Sequence, residues 1–290
     1  MTLEQLRVFV AVAERLHMTR AAEALNMTQS AASAAIGALE ARHGVRLFDR
    51  VGRGLALTRA GRTFLPNAAA VLARAGAAAQ VLDDLAGLKR GALALAASQT
   101  VANYWLPSRM ATFARAYPDI ALKLDVGNTA QVARAVIEGA ADIGFVEGDI
   151  DSPRLERTRI ATDRIAVYAA PGHPLAAAAV VGPADLKGAL WARRELGSGT
   201  RSEFEQALTA FGVDPARLKT ALELTSNEAV LEAAASGGLL AAVSQLAARA
   251  FVAAGRLTKL PFDLPDRHFD LVVDRERARS PAAAAFTARL

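Results

Sequence analysis

Three helical patterns occupy the first 43 residues, and the breaks between them leave room only for tight turns. Leu3, Leu6, Phe9, Val10 and Ala13 recur at helical spacing over Leu3 to Glu14. A second segment spans Thr19 to Leu25, with Thr19 placed as its N-cap and small Ala21 and Ala22 where two helices must approach closely. After Asn26-Met27, a third runs from Thr28 to His43, capped by Thr28, with Ile36 and Leu39 turned inward. Gly44 to Arg50, Gly52-Arg53-Gly54 and Leu57-Thr58 then read as a tight turn and a two-stranded wing. The whole predicts a winged helix-turn-helix, a unit that places one helix in the major groove of double-stranded DNA. The expected DNA-binding residues are Thr19, Arg20, Thr28, Gln29, Ser30 and Ser33 on the helices. Arg50 and Arg53 flank the wing, where phosphates lie.

From Thr58 to about Leu88 the chain reads as one long helix. Phe64, Ala68, Val71, Ala75, Ala78, Leu82 and Leu85 alternate in steps of four and three, the seam of a coiled coil. That seam predicts a homodimer, which suits a unit that reads two half-sites; the alternative is a helix packed on its own domain. Pro66 is expected to kink or interrupt the helix near its first turns. Lys89-Arg90-Gly91 marks the next boundary.

Residues 92–290 alternate short apolar strands with helices, the signature of α/β layers. Strands are expected at Leu93–Ala97, Ile120–Val126, Ile143–Glu147, Ile165–Ala170, Leu190–Arg193, Ala221–Leu224, Leu239–Val243 and Phe269–Val273. Helices are expected at Trp105–Tyr117, Gln131–Glu138, Ser202–Phe211 and Glu228–Ala235. Ligands in open α/β sheets sit beyond the carboxyl ends of strands. Four such ends carry polar residues: Ser98-Gln99-Thr100, Asn128-Thr129, Glu147-Gly148 and the turn Ser198-Gly199-Thr200-Arg201. A Gly-Ser-Gly-Thr turn opening a helix offers backbone N–H groups and hydroxyls to an anion, and Arg201 adds charge. With Asn227, these residues form the expected ligand-binding set for a small anionic effector. Glu147 is the odd member, because an ionised carboxylate only accepts hydrogen bonds. It would favour an oxyanion that still carries a proton, unless it pairs with Arg201 or another cation across the cleft.

Composition narrows the function classes. The chain has 290 residues, a net charge of +5 and no cysteine, which excludes disulfides, thiolate metal sites and a cysteine nucleophile. Eight arginines face five acidic residues in the first sixty, a basic excess too mild to prove nucleic-acid binding by itself. No apolar run reaches the ~18–20 residues of a membrane span, and no signal-peptide layout precedes Leu3, so a cytoplasmic protein is expected. His17, His43, His173 and His268 are scattered, with no His-Glu-x-x-His spacing. Gly52-Arg53-Gly54 lacks the rest of a dinucleotide fingerprint. No enzyme, catalytic residue, metal or cofactor is therefore expected. A transporter's solute receptor is disfavoured by the N-terminal unit.

These motifs resemble the LysR-type transcriptional regulators of bacteria. The resemblance rests on Leu6-Arg7-Val8-Phe9, Thr19 to Leu25, Thr28 to Ser33, Ile36 to Glu40, Leu47 to Arg50 and Leu57-Thr58-Arg59-Ala60-Gly61. Ala34 and Ala35 depart from it, where the family often carries longer polar side chains. It extends through Asn103 to Pro107, Gly127-Asn128-Thr129, Asp142-Ile143-Gly144, Val146-Glu147-Gly148 and Arg194 to Arg201. It implies a DNA-binding domain over 1–58, a dimerising linker helix over 59–90 and an effector-binding domain over 91–290. The last would be two subdomains, as in periplasmic binding proteins: 91–161 with 267–290, and 162–266, with crossovers near Ala161-Thr162 and Leu264-Pro265. Homotetramers, formed by two dimers, are implied as well. The details are most similar to the sulfur-assimilation and sulfite-responsive branch, which implies an oxyanion such as sulfite or sulfate. The carbon-fixation regulators, implying phosphorylated metabolites or NADPH, come next.

Overall fold

The computed structural model describes residues 1–51, 54–85 and 91–290, in two compact units. Gly52, Arg53 and the Lys89-Arg90 boundary therefore lie outside the described residues.

The N-terminal unit begins with helices α1 (Leu3–Arg15), α2 (Met18–Ala24) and α3 (Gln29–His43). Thr2 and Gln5 form a reciprocal capping box on α1, the Thr2 hydroxyl accepting from Gln5 N at 3.2 Å and Gln5 Oε1 from Thr2 N at 2.9 Å. The buried stripe is Leu6, Phe9 and Ala13 with Val8 and Val12; Leu3, expected in it, is exposed, and Val10 is half-buried. The N-cap of α2 is His17 rather than Thr19. The chain leaves α1 through left-handed Leu16 (φ 49°), so the extended residue that precedes the new helix is His17, whose Nδ1 accepts from Arg20 N at 3.4 Å. Thr28 caps α3 as expected, its hydroxyl accepting from Ala31 N at 3.2 Å.

Strands β1 (Phe48–Val51) and β2 (Gly54–Leu57) pair antiparallel as the wing. Glu40 on α3 anchors its base by accepting from Leu47 N at 2.6 Å and Phe48 N at 3.2 Å. The long helix α4 (Arg59–Leu85) starts where the Thr58 hydroxyl accepts from Gly61 N at 2.9 Å and donates to the Arg46 carbonyl at 2.8 Å. Gly61 has to be glycine, because a Cβ there would overlap the Leu47 carbonyl oxygen. These bonds give the Leu-Thr-Arg-Ala-Gly motif its physical meaning. Phe9 packs between Phe48 and Phe64, with ring centroids 5.5 and 5.1 Å away.

Helix α4 is not interrupted at Pro66. The proline lies on the exposed side, so its ring meets solvent, while Phe64, Ala68 and Leu72 hold the helix on the core of its own unit. The start of the proposed seam is thus spent on internal packing. Val71 and Ala78 stay exposed and Ala75 half-buried; the side chains of Leu82 and Leu85 lie outside the described residues.

The C-terminal unit repeats one design twice. In lobe I, β3 (Gly91–Ser98) pairs in parallel with β4 (Ile120–Gly127) and β5 (Ile143–Glu147). Helices α5 (Gln99–Tyr104), α6 (Leu106–Ala116) and α7 (Thr129–Glu138) connect them. The helix expected over Trp105–Tyr117 is α6, with Pro107 in its first turn, and the short α5 precedes it as an additional helix that ends at Tyr104. The chain then crosses to lobe II on β6 (Leu155–Ala169), far longer than the strand expected at Ile165. Its first half was hidden by Glu156, Arg157, Thr158 and Arg159, whose polarity masks a strand that pairs with only one neighbour there.

Lobe II holds α8 (Pro183–Gly188), β7 (Leu190–Arg194), α9 (Gly199–Ala210), β8 (Lys219–Leu224), α10 (Asn227–Ala235), β9 (Leu239–Ser244), α11 (Gln245–Ala253) and β10 (Thr258–Lys259). Here β7 is parallel to β8 and β9. The chain returns on β11 (Asp266–Asp274), antiparallel to β6 and β5, and ends in α12 (Pro281–Thr287). The strand order is β4-β3-β5-β11-β6-β9-β7-β8, so β6 and β11 are the two strands that join the lobes. Ala161 and Thr162 face Phe269 and His268 across them, and Leu264-Pro265 precede β11. Each lobe has its own aromatic core, Trp105 with Phe145 and Phe269 in lobe I and Trp191 with Phe204 in lobe II.

Candidate functional site

Helix α3 presents Gln29, Ser30 and Ser33 at its exposed N-terminal turns, while Ala32, Ile36 and Leu39 are buried on the other side. Thr28 and Ser30 hydroxyls lie 3.0 Å apart, so Thr28 serves the helix start and orients Ser30. Thr19 and Arg20 are exposed on α2, and Arg50 is exposed on β1. Small polar side chains on a helix N-terminus, beside exposed arginines, suit base edges and phosphates respectively.

The second site forms where β3, β5 and β7 deliver their carboxyl ends between the lobes. Glu147, at the end of β5, is buried and accepts from Ser98 Oγ at the end of β3. From lobe II, Thr200 Oγ1 reaches Glu147 Oε1 at 3.2 Å. Thr129 Oγ1 donates to the Glu147 backbone carbonyl at 2.7 Å. Gly199 packs so tightly on this strand end that a Cβ would overlap the Glu147 carbonyl oxygen. Ser98, Thr100, Thr129, Glu147, Ser198, Thr200 and Asn227 are all buried, and all but Ser198 are joined by side-chain hydrogen bonds, in part through Arg267. Neither Ser98 nor Ser198 caps its helix with its side chain.

The charge that answers Glu147 comes from Arg267 on β11, which the sequence reading did not single out. Its Nη1 stands 3.9 Å from Glu147 Oε1 and 3.0 Å from Thr200 Oγ1, and its Nη2 is 3.5 Å from Thr100 Oγ1. Asp163 on β6 holds the guanidinium at 2.7 Å. The only hint in sequence was an arginine standing just before the expected strand Phe269–Val273. Arg201 does not enter the cluster. It turns outward to Glu205 and Glu223, each at 2.7 Å, because its place on α9 points it back along β7. Of the two buried arginines at the end of β7, Arg194 is the one that reaches the cluster, its Nη1 donating to Asn227 Oδ1 at 2.6 Å. Asn227 passes the contact on to Thr100 Oγ1 at 3.1 Å.

Gln99 and Asn128 act at the rim. Gln99 accepts from Asn227 N at 3.0 Å and donates to the Thr225 carbonyl at 2.8 Å. Asn128 donates to Glu195 at 3.1 Å. Burial pushes the Glu195 carboxyl up, but hydrogen bonds from Arg194 and Asn128 and the Arg194 charge outweigh it and leave the group below its ordinary range. Tyr104 and Asn103 on α5 both donate to Glu228 on α10, at 2.6 and 3.2 Å. These bonds join lobe I to lobe II around a desolvated core of hydroxyls, the Glu147 carboxylate and the Arg267 guanidinium. Among the described residues no group of three metal-ligating side chains occurs, and no helix is long and apolar enough to cross a membrane.

Comparison with known proteins gives a consistent picture. Residues 3–62 match the family described as bacterial regulatory helix-turn-helix protein, lysR family. Residues 86–290 match the LysR substrate binding domain. The transcriptional regulator YeiE of Escherichia coli K12 is 36% identical over 264 residues, covering 91% of this chain and 87% of that protein. The RuBisCO operon transcriptional regulator of Allochromatium vinosum is 34% identical, covering 98% and 94%. Full-length CbnR, solved in complex with its target DNA, superposes with a TM-score of 0.72 at 22% identity over 100% of this chain and 98% of that one.

Proposed function

This chain belongs to the LysR family of bacterial transcriptional regulators, and we propose that it reads operator DNA as a homodimer under the control of a small oxyanion held between the lobes of its C-terminal unit. The observation that carries the ligand class is the convergence of Ser98, Thr200 and Arg267 on the buried Glu147 carboxylate. These hydroxyls and the guanidinium serve Glu147 here, and an entering oxyanion would recruit them as its donors while its own proton goes to Glu147. The first turn of α9, uncapped by Ser198, adds backbone N–H groups and the positive end of a helix dipole. Glu147 selects among oxyanions. It repels a fully deprotonated one and accepts a hydrogen bond from one that retains a proton, so bisulfite or hydrogen phosphate is favoured over sulfate.

In this reading residues 1–58 bind DNA, 59–90 dimerise through the exposed part of α4, and 91–290 sense the effector, with two dimers joining through their effector domains. Ligand binding and DNA binding are then two coupled equilibria.

A thermal-shift series on the full chain tests it, with sulfite, sulfate, thiosulfate, phosphate, sugar phosphates, NADPH and simple carboxylates. A ligand that binds the native state raises the melting temperature. The expected result is a shift with sulfite that exceeds the shift with sulfate, and a Glu147→Gln variant that narrows the difference. Unchanged selectivity in that variant would overturn the role of Glu147. The similarity to a RuBisCO operon regulator favours a second reading, in which only phosphorylated metabolites or NADPH shift the wild-type protein.

A further inference from the structure

We propose that the C-terminal unit carries a second ligand site, for a small organic anion, in the cavity between β6 and α11. This cavity has a volume of about 720 Å³, within the roughly 300–1,000 Å³ of small-molecule sites. No side chain that touches Glu147 lines it; the one residue it shares with the cleft described above is Asp163, which holds Arg267 from behind.

Its charge is what identifies the ligand. Arg164 is matched by Asp266 at 2.5 Å, and Asp163 is matched by Arg267 at 2.7 Å on the cleft side. Arg249 on α11 and Lys259 on β10 remain. Both are exposed, both line the cavity, and neither has an ion pair or hydrogen bond among the described residues. Asp263 stands only in the smaller adjoining cavity of about 310 Å³, beside Arg164, and leaves the balance positive.

Neutral donors complete the set. Tyr168 on β6 is buried, and its hydroxyl has no hydrogen bond among the described residues. Burial, with the nearby Asp163 carboxylate, pushes its ionisation upward and keeps it a donor. Gln245, at the start of α11, likewise brings an amide without a side-chain partner. Leu246, Val252 and Ala253 form an apolar floor, and Val252 is 41% exposed. Two cations over an apolar floor suit an anionic head on a compact apolar body, rather than a bare inorganic ion.

Phenyl phosphate has that chemistry, and its calorimetric titration into the full-length protein is the test. Saturable binding is expected, tighter than that of inorganic phosphate. An Arg249→Ala/Lys259→Ala double variant should weaken it at least tenfold while keeping the wild-type melting temperature, since both side chains are exposed. Thr200→Ala, which alters the cleft, should leave it within twofold. The proposal is overturned if binding does not saturate, if inorganic phosphate binds as tightly, or if Thr200→Ala abolishes binding and the double variant does not. The sulfite-induced shift of the double variant is read separately, so failure of this site and failure of the cleft reading are distinguishable.

Discussion

Arg267 grips Asp163 through two nitrogens, Nε and Nη2, each 2.7 Å from the same carboxylate oxygen, and the side chains of both residues are almost completely buried. Desolvation offsets much of what such a pair gains, but removing one partner strands the other charge, at a cost of about 3–5 kcal/mol. Arg267→Ala should therefore lower the melting temperature of the C-terminal unit and abolish its response to sulfite. Arg267→Ala/Asp163→Ala should recover part of the stability without the response. Calorimetry of the three proteins decides it; a single variant as stable as wild type would refute the pairing.

Gly199→Ala tests how closely the lobes meet. The added methyl would overlap the Glu147 carbonyl oxygen, and the displacement should cost about 1–3 kcal/mol, as overpacking does. The turn that carries Thr200 moves with it, so sulfite should stabilise this variant less than wild type. Thermal melts with and without sulfite check both parts.

On DNA, Arg50 and Ser33 should fail differently. With Arg50 proposed to meet a phosphate, Arg50→Ala is expected to weaken specific and nonspecific binding alike and to lower the salt dependence by about one counterion. Ser33→Arg should harm specific binding more than nonspecific binding. Gel retardation at several salt concentrations separates them, and equal losses for Ser33→Arg would remove it as a base reader.

Acid should weaken the C-terminal unit through Asp274. Hydrogen bonds from Arg154, at 2.7 and 3.1 Å, hold this carboxyl below its ordinary range against the opposing effect of burial. A lowered native pKa contributes stability that is complete above the unfolded value of about 3.9 and is lost as the pH falls through the native value. Asp274→Asn should flatten the stability profile below about pH 4 and lower stability near neutrality. Urea melts across that range measure both.

The N-terminal unit was readable because its determinants are local. Thr28 caps three residues on, and the apolar positions of α1 and α3 recur within single helices. Even there the three-dimensional path intervened, since left-handed Leu16 moved the cap of α2 from Thr19 to His17. In the C-terminal half the strand ends were visible as polar breaks after apolar runs. The first half of β6 was not, because charged residues are tolerated on a strand that is covered by β11 and is otherwise open.

Local pattern and turn chemistry in the sequence determined the helix-turn-helix, the wing, the α/β layering and the identity of most polar groups at the strand ends. Only the tertiary structure decided which of them meet. Arg267 reaches Thr100 across 167 residues of chain and Asp163 across 104, and no periodicity encodes such a contact. The same packing sent Arg201 outward and made Arg267 the cation facing Glu147. The reason is geometric: β11 returns from lobe II beside β5, so a residue near the C-terminus completes a site begun at Ser98.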